Sequence, residues 1–186
     1  MKKLENRKWK VLESEYLFKR PWLTVRQEKV ENNHGKIIPE YYVLDYPDWV
    51  NTIAVTKDKK FIMVSQYRHG LGKTNFELCS GVMDPEDPSP LHAAQRELLE
   101  ETGYGNGDWK QIMVISANPS TMTNVTYCFV ATDVEKIAEQ NLDETEDLKI
   151  HILTLEEVKE LMANDEIKQS LNAAPLWKFF AENHLY

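Results

Sequence analysis

Apolar and polar positions alternate along much of this chain, so strands dominate its pattern. Residues 8–16 alternate loosely up to Arg20-Pro21, and over 24–30 Val25, Gln27 and Lys29 alternate with Arg26, Glu28 and Val30. Asn32-Asn33-His34-Gly35 reads as a hairpin turn, because Asn and Gly tolerate positive φ. Residues 37–44, with Tyr41, Tyr42 and Val43, form a strong β run. These pieces predict a small antiparallel sheet. After Pro47-Asp48, residues 50–56 and 60–67 are strands joined by the polar turn Lys57-Asp58-Lys59. Residues 75–79 make another short strand ending at Ser80-Gly81. Pro85, Pro88 and Pro90 keep 82–90 out of a helix, and 91–102 reads as a helix that stops at Gly103. Residues 112–116 and 127–131 are strand-like and flank the loop 117–124. An acidic loop over 139–147 precedes a strand at 148–153. Helices are expected over 155–164, capped by Thr154, and over 167–181. With no βαβ rhythm, the expected class is α+β, a mixed sheet with helices on its faces. The expected boundaries are 1–46 for the N-terminal β-sheet region and 47–186 for the main domain.

Composition narrows the function. The chain has 186 residues, 42% of them apolar and 28% charged. Five Trp, eight Tyr and six Phe are too much aromatic surface for a disordered chain. No stretch approaches the roughly 18 apolar residues of a membrane span. Twenty-two basic against 30 acidic residues give a net charge of −8, which argues against nucleic acid or an anionic membrane as partner. An anionic small molecule is compatible only if something positive mediates. Cys79 and Cys128 make neither a four-ligand zinc site nor a disulfide framework. The start, MKKLENRKWK, lacks an apolar run, so no secretory signal is expected and the expected compartment is the cytoplasm.

The informative stretch is Gly81 to Tyr104, GVMDPEDPSPLHAAQRELLEETGY. Glu97, Glu100 and Glu101 fall at i, i+3 and i+4 of the predicted helix and share one face. Three carboxylates so placed repel one another, and Arg96 is one cation for three anions. Hard divalent cations take carboxylate oxygens, so this face is a candidate site for them. A solvated acidic face is the plainer reading of the spacing alone.

The wider string changes that balance. Arg96-Glu97-Leu98-Leu99-Glu100-Glu101-Thr102-Gly103-Tyr104 matches REUxEExGU, the second half of the Nudix box Gx5Ex7REUxEExGU, and Gly81 resembles its leading glycine. The chain is thereby identified as resembling the Nudix hydrolases. The segment between Gly81 and Arg96 is one residue longer than the pattern, so the lone Glu of the box falls on Asp87 counted from Gly81 and on Pro88 counted back from Arg96. Glu86 or Asp87 is left to supply that carboxylate. Gln66-Tyr67-Arg68 and Glu77-Leu78-Cys79-Ser80-Gly81 resemble the QYR…ELPAG segment of the ADP-ribose pyrophosphatase branch, with Cys79-Ser80 in place of Pro-Ala. Asp143-Glu144-Thr145-Glu146-Asp147 is similar to the acidic loop that carries the catalytic base there. The likeness spans about residues 20–160.

The resemblance implies an α/β/α Nudix sandwich and a homodimer built through the N-terminal sheet. It implies Mg²⁺, or Mn²⁺ in its place, held by Glu97, Glu101 and the backbone carbonyl of Ser80, with Glu100 sharing or bridging. Arg68 would point at the diphosphate, and Glu77 would hold substrate or a neighbouring side chain. Glu144 or Glu146 would be the general base, with Glu144 favoured and Glu146 near the metal. Arg96 would orient the carboxylates. The implied reaction is hydrolysis of a pyrophosphate bond in a nucleoside diphosphate derivative, ADP-ribose first and GDP-mannose or another nucleoside diphosphate sugar next. Two other readings stand beside it. One is a Nudix-fold nucleotide-binding module that no longer hydrolyses. The other is an isoprenoid diphosphate isomerase of the same fold, which would need a catalytic Cys that nothing in the sequence assigns to Cys79 or Cys128. The five histidines show no paired ligand spacing.

Overall fold

The structure is a computed structural model that describes residues 4–185; residues 1–3 and 186, the ends of the two expected domains, lie outside the described residues. The chain divides into two compact units, one reaching to Tyr46 and joined by Asn118–Asn124, the other made of Pro47–Ala117 and the chain from Val125 onward.

The first unit is an antiparallel sheet in the order β1 (Lys10–Arg20), β2 (Leu23–Glu31), β3 (Ile37–Leu44). The turn between β2 and β3 forms as expected. Asn32 Oδ1 accepts from His34 N at 2.9 Å and Lys36 N at 3.1 Å, and Gly35 takes φ 74°. Strand β1 runs on to Arg20, beyond the alternation that suggested it. Irregularities between Val11 and Glu13 and between Tyr16 and Phe18 break its period.

The second unit is built on one mixed sheet. Its strands are β4 (Trp49–Thr56), β5 (Phe61–Arg68), β6 (Lys73–Glu77), β7 (Cys79–Val82), β8 (Tyr104–Gly105), β9 (Asp108–Ile115), β10 (Thr126–Lys136) and β11 (Leu148–Leu153). The order is β11-β5-β4-β10-β8, with β6 on β5, β7 on β4 and β9 on β10. Only β4 and β10 run parallel among the described pairs. The single strand expected over 75–79 is two strands that part at Leu78. Strand β5 pairs with β4 only at its start, through Phe61 and Ile62. The chain then fills the opening twice, β6 on β5 and β7 on the first half of β4.

Strand β4 is buried almost throughout, as a central strand covered on both faces must be. Ile53 and Val55 face α2 (Leu155–Ala163) and α3 (Ser170–Glu182), packing with Phe61, Met63, Val158 and Phe180. Val50 and Ala54 face α1 (Pro90–Thr102), whose Ala93, Ala94 and Leu98 are fully buried. Burying Leu98 alone contributes roughly 2 kcal/mol to holding α1 on the sheet.

Two helix ends differ from expectation. Pro90, grouped with the excluding prolines, is the first residue of α1, where a missing N–H costs nothing. Helix α3 starts at Ser170 rather than 167 and carries Pro175 inside it. That proline leaves the Leu171 carbonyl without its helical donor. The buried Asn51 side chain supplies one from β4, at 2.7 Å.

Candidate active site

Helix α1 is set locally before it is set by packing. The Ser89 side chain accepts from His92 N, Pro90 opens the helix, and Gly103 closes it at φ 71° with its N–H on the Leu99 carbonyl. Ala94, Leu98 and Glu101 follow one another at i, i+4 and i+7, so Glu101 lies on the stripe that packs on the sheet. The three glutamates therefore differ in depth. Glu101 is 5% exposed, the Glu97 side chain 13%, and the Glu100 side chain 39%.

Arg96 gathers the outer charges. Its Nη1 donates to Glu97 Oε1 at 2.9 Å and Glu100 Oε2 at 3.0 Å. Its Nη2 donates to Asp87 Oδ2 at 2.9 Å and the Val82 carbonyl at 3.0 Å. Of the two carboxylates left open for that box position, Asp87 is the one that meets Arg96. Its side chain is 4% exposed, it accepts from Asp84 N at 2.9 Å, and the Arg96 guanidinium holds it well below the usual carboxylate range. Glu86 is exposed. The extra residue of the box is absorbed in the turn ahead of Ser89, where length costs little.

Glu101 lies beyond this cluster. Its Oε2 accepts from Ser80 N at 3.1 Å. Burial, then the neighbouring Glu97 charge, pushes the Glu101 carboxyl well up. Burial also pushes Glu97 up to about 7 against the pull of Arg96, with Glu100 and Glu146 adding to the rise. The site thus buries more negative charge than Arg96 offsets.

Gly81 makes this packing possible. A Cβ there would lie 2.1 Å from the Glu97 carboxylate. In the antiparallel pairing of β7 with β4, Ser80 N–H faces Glu101, so the Ser80 carbonyl leaves the strand on the same side. The Val82 carbonyl, two residues on, does so too and is taken by Arg96.

The remaining expected residues separate. Arg68, at the end of β5, does not stand free. Its Nε and Nη2 grip Glu77 Oε1 and Oε2 at 2.9 and 2.5 Å. Glu77 is 2% exposed, so both its oxygens serve Arg68. Arg68 keeps 43% of its side chain exposed and feels the charges of Glu101 and Glu146. In the acidic loop Glu146 is half-buried and its charge reaches Glu97, Glu101 and Arg68, whereas Glu144 sits exposed in the turn that Glu146 N closes onto the Asp143 carbonyl. The Glu146 carboxylate accepts from Asp143 N at 3.1 Å within the loop. Burial pushes Cys79 well up and Cys128 up to about 11. Neither is a ready thiolate, which removes the nucleophile an isomerase would need.

Among the described residues, no three His, Cys, Asp or Glu side chains form a preformed ion cage. The donors still fit a hard divalent cation: all are oxygens, the Glu97 and Glu101 carboxyls are both raised by burial, and the basic side chain nearest them is already shared.

A family model described as NUDIX domain matches residues 46–173, and one described as nucleoside diphosphate sugar hydrolase N-terminal domain matches residues 9–44. An ADP-ribose pyrophosphatase of Bacillus subtilis (strain 168) is 30% identical over 174 residues, 93% of this chain and 91% of that protein. A methanol dehydrogenase activator of Bacillus methanolicus is 29% identical over 162 residues, 87% and 86% of the two chains. A crystal structure of an ADP compounds hydrolase superposes with TM-score 0.82 at 23% identity over 98% of each chain, and shares this fold.

Proposed function

From the premise that the chain belongs to the Nudix family, we propose that it is a divalent-metal-dependent pyrophosphohydrolase. Its substrate is a nucleoside diphosphate linked to another moiety, ADP-ribose first, cleaved to AMP and ribose 5-phosphate. GDP-mannose or another nucleoside diphosphate sugar is the next choice. The observation that carries the reading is Glu101, a 95% buried carboxylate beside Glu97, with Arg96 committed to Glu97 and Glu100 rather than to it. Such an arrangement calls for a second cation.

The cation is Mg²⁺, with Mn²⁺ able to replace it. Glu97, Glu101 and the Ser80 carbonyl would hold it, with Glu100 sharing. When bound it supplies positive charge against the diphosphate and a more acidic water. Arg68, held by Glu77 through Nε and Nη2, keeps Nη1 for phosphate oxygens; Glu77 thus serves substrate through Arg68. A loop carboxylate takes the proton of the attacking water. Of the two candidates, Glu146 is favoured by its place near Glu97 and Glu101, which reverses the preference for Glu144. The P–O bond to the departing half breaks and a phosphate monoester leaves.

The N-terminal region, residues 1–46, would pair two copies, leaving 47–186 as the hydrolase domain. Its strands expose Val11, Tyr16, Phe18 and Ile37 and the β1–β2 turn exposes Trp22, apolar surface that a second copy would cover. Sedimentation at twice the monomer mass would support the dimer and a monomer would exclude it. Among the described residues no helix is long and apolar enough to cross a membrane. Two free, buried cysteines suit the cytoplasm, where fractionation should find the protein.

The activity test is a screen of ADP-ribose, GDP-mannose, other nucleoside diphosphate sugars, dinucleotides and nucleoside triphosphates with Mg²⁺. The expected result is release of AMP from ADP-ribose, stopped by EDTA and restored by Mg²⁺ or Mn²⁺. Tight nucleotide binding with no monoester released from any substrate would instead establish a non-catalytic module.

A further inference from the structure

The C-terminal end of α1 is held by the chain that leads into the acidic loop. A helix leaves its last four carbonyls in need of donors from outside it. Gly103 N takes the first, the Leu99 carbonyl, at 2.7 Å. The other three belong to Glu100, Glu101 and Thr102, and each is met from residues 136–141. Asn141 N donates to the Glu100 carbonyl at 2.8 Å. Gln140 Nε2 donates to the Glu101 carbonyl at 2.7 Å, and Lys136 Nζ to the Thr102 carbonyl at 3.1 Å. The Gly103 carbonyl accepts from Ile137 N and Ala138 N at 2.9 and 3.1 Å. The root of the acidic loop is thus fastened to Glu100 and Glu101, two of the residues whose side chains make the cation face. Past that point Leu142 packs with Ala54, Ile62 and Leu98, and Leu148 opens β11 against β5. The three donors differ. Asn141 contributes a backbone N–H, which a side-chain substitution leaves in place. Lys136 contributes a flexible point charge that also faces Glu139 at 4.0 Å. Gln140 is half-buried and contributes a neutral, planar amide.

We propose that Gln140 is a positioning residue, its amide tying the acidic loop to the Glu101 carbonyl and so fixing the loop's general base relative to the cation held by α1. The role rests on the base and cation reading given under the proposed function. Displacing a catalytic group by about an ångström costs on the order of 10²-fold in rate. The Asn141 N–H still holds the loop when Gln140 is changed, so the expected loss is smaller, about 10-fold.

The test is steady-state kinetics with Mg²⁺ and ADP-ribose, or the fastest substrate of the screen, on wild type, Gln140→Met, Gln140→Lys, Glu146→Gln and the double variant Gln140→Met/Glu146→Gln. Calorimetry with Mn²⁺ alone measures cation binding, and thermal unfolding shows that each variant is folded. Gln140→Met keeps the length of the side chain and removes its donor. It should lose about 10-fold in kcat, with KM and Mn²⁺ affinity within about twofold of wild type, because α1 and its carboxylates stay in place. Gln140→Lys returns an N–H donor to a helix C-terminus and should recover to within about threefold of wild type. In the Glu146→Gln background Gln140→Met should cost less than about twofold, since residues that act as a unit are not additive. A merely structural role would cost the same in both backgrounds. Unchanged kcat in Gln140→Met, a parallel loss of Mn²⁺ affinity, equal losses in the Met and Lys variants, or an undiminished loss in the Glu146→Gln background would each overturn the role of Gln140, while wild-type turnover leaves the proposed function standing. A wild type that releases no monoester from any substrate of the screen would overturn both.

Discussion

Glu101→Gln should lose at least roughly 10³-fold in kcat while remaining folded, because a metal centre contributes several kcal/mol to the barrier and each 1.36 kcal/mol is tenfold. The substitution keeps the shape of the side chain and an oxygen for the Ser80 N–H, and removes the charge by replacing the other oxygen with an amide NH2. That charge is buried and its carboxyl is pushed well up. Carrying it therefore destabilises the metal-free native state at neutral pH, and the sign of the stability change follows. A group with a raised native value favours folding while protonated and loses that contribution as pH rises through its native titration. Without cation, the Gln variant should melt at or above the wild-type temperature near pH 8. Adding Mg²⁺ should raise the melting point of wild type more than that of the variant. Steady-state rates and paired melting curves check both halves. A stable, inactive variant places Glu101 in function at the expense of stability, the usual signature of a working site. A variant that turns over like wild type would remove Glu101 from the mechanism.

Gly81→Ala should cost roughly 10²-fold in turnover, the penalty for shifting a catalytic group by about an ångström. Gly81 is not in the left-handed region of the backbone, so the glycine is required by contact rather than by conformation. An added methyl would lie 2.1 Å from the Glu97 carboxyl carbon and Oε1. What it meets is the mobile end of a long side chain, so the helix need not move and the fold should lose about 1 kcal/mol or less, in the range of ordinary single substitutions. The Glu97 carboxylate must swing away, and its hydrogen bond with Arg96 at 2.9 Å goes with it. The expected pattern is near-normal unfolding, weakened Mn²⁺ binding and poor catalysis. Gly81→Ala with normal turnover would show that the Glu97 carboxylate can work from another position.

Local chemistry made part of this structure legible from the sequence. The Asn32–Gly35 turn, the Lys57-Asp58-Lys59 turn, the stop of α1 at Gly103 and the Thr154 cap each depend on a few adjacent residues. In α2 the cap is a reciprocal box, Glu157 N donating to Thr154 Oγ1 at 3.2 Å and Thr154 N to Glu157 Oε2 at 2.7 Å. What escaped the sequence depends on distant partners. The divergence of β5 from β4 splits one expected strand into β6 and β7. Strand β10 extends past 131 because β4 and β9 pair along it and β8 meets its end. Pro175 stays in α3 because Asn51, far away in the chain, takes the carbonyl it strands.

The site follows the same division. Helical spacing put the three glutamates together, but not their order of depth, which depends on where Leu98 meets the sheet. The choice between Glu86 and Asp87 needed the turn that folds Asp87 back onto Arg96. Arg68 looked like a free phosphate ligand until the chain between β5 and β6 reversed and brought Glu77 against it. The acidic loop, uniform in sequence, is unequal in burial, with Glu146 half-buried and Glu144 exposed.

The central claim is that Glu97 and Glu101 grip a divalent cation against a bound diphosphate. The most direct measurement is the anomalous difference map of crystals grown with Mn²⁺ and a non-hydrolysable methylene analogue of ADP-ribose. A manganese peak between the Glu97 and Glu101 carboxylates and the phosphate oxygens is the expected result. An analogue bound with no peak at that helix face, or with Arg96 alone meeting the phosphates, would contradict it.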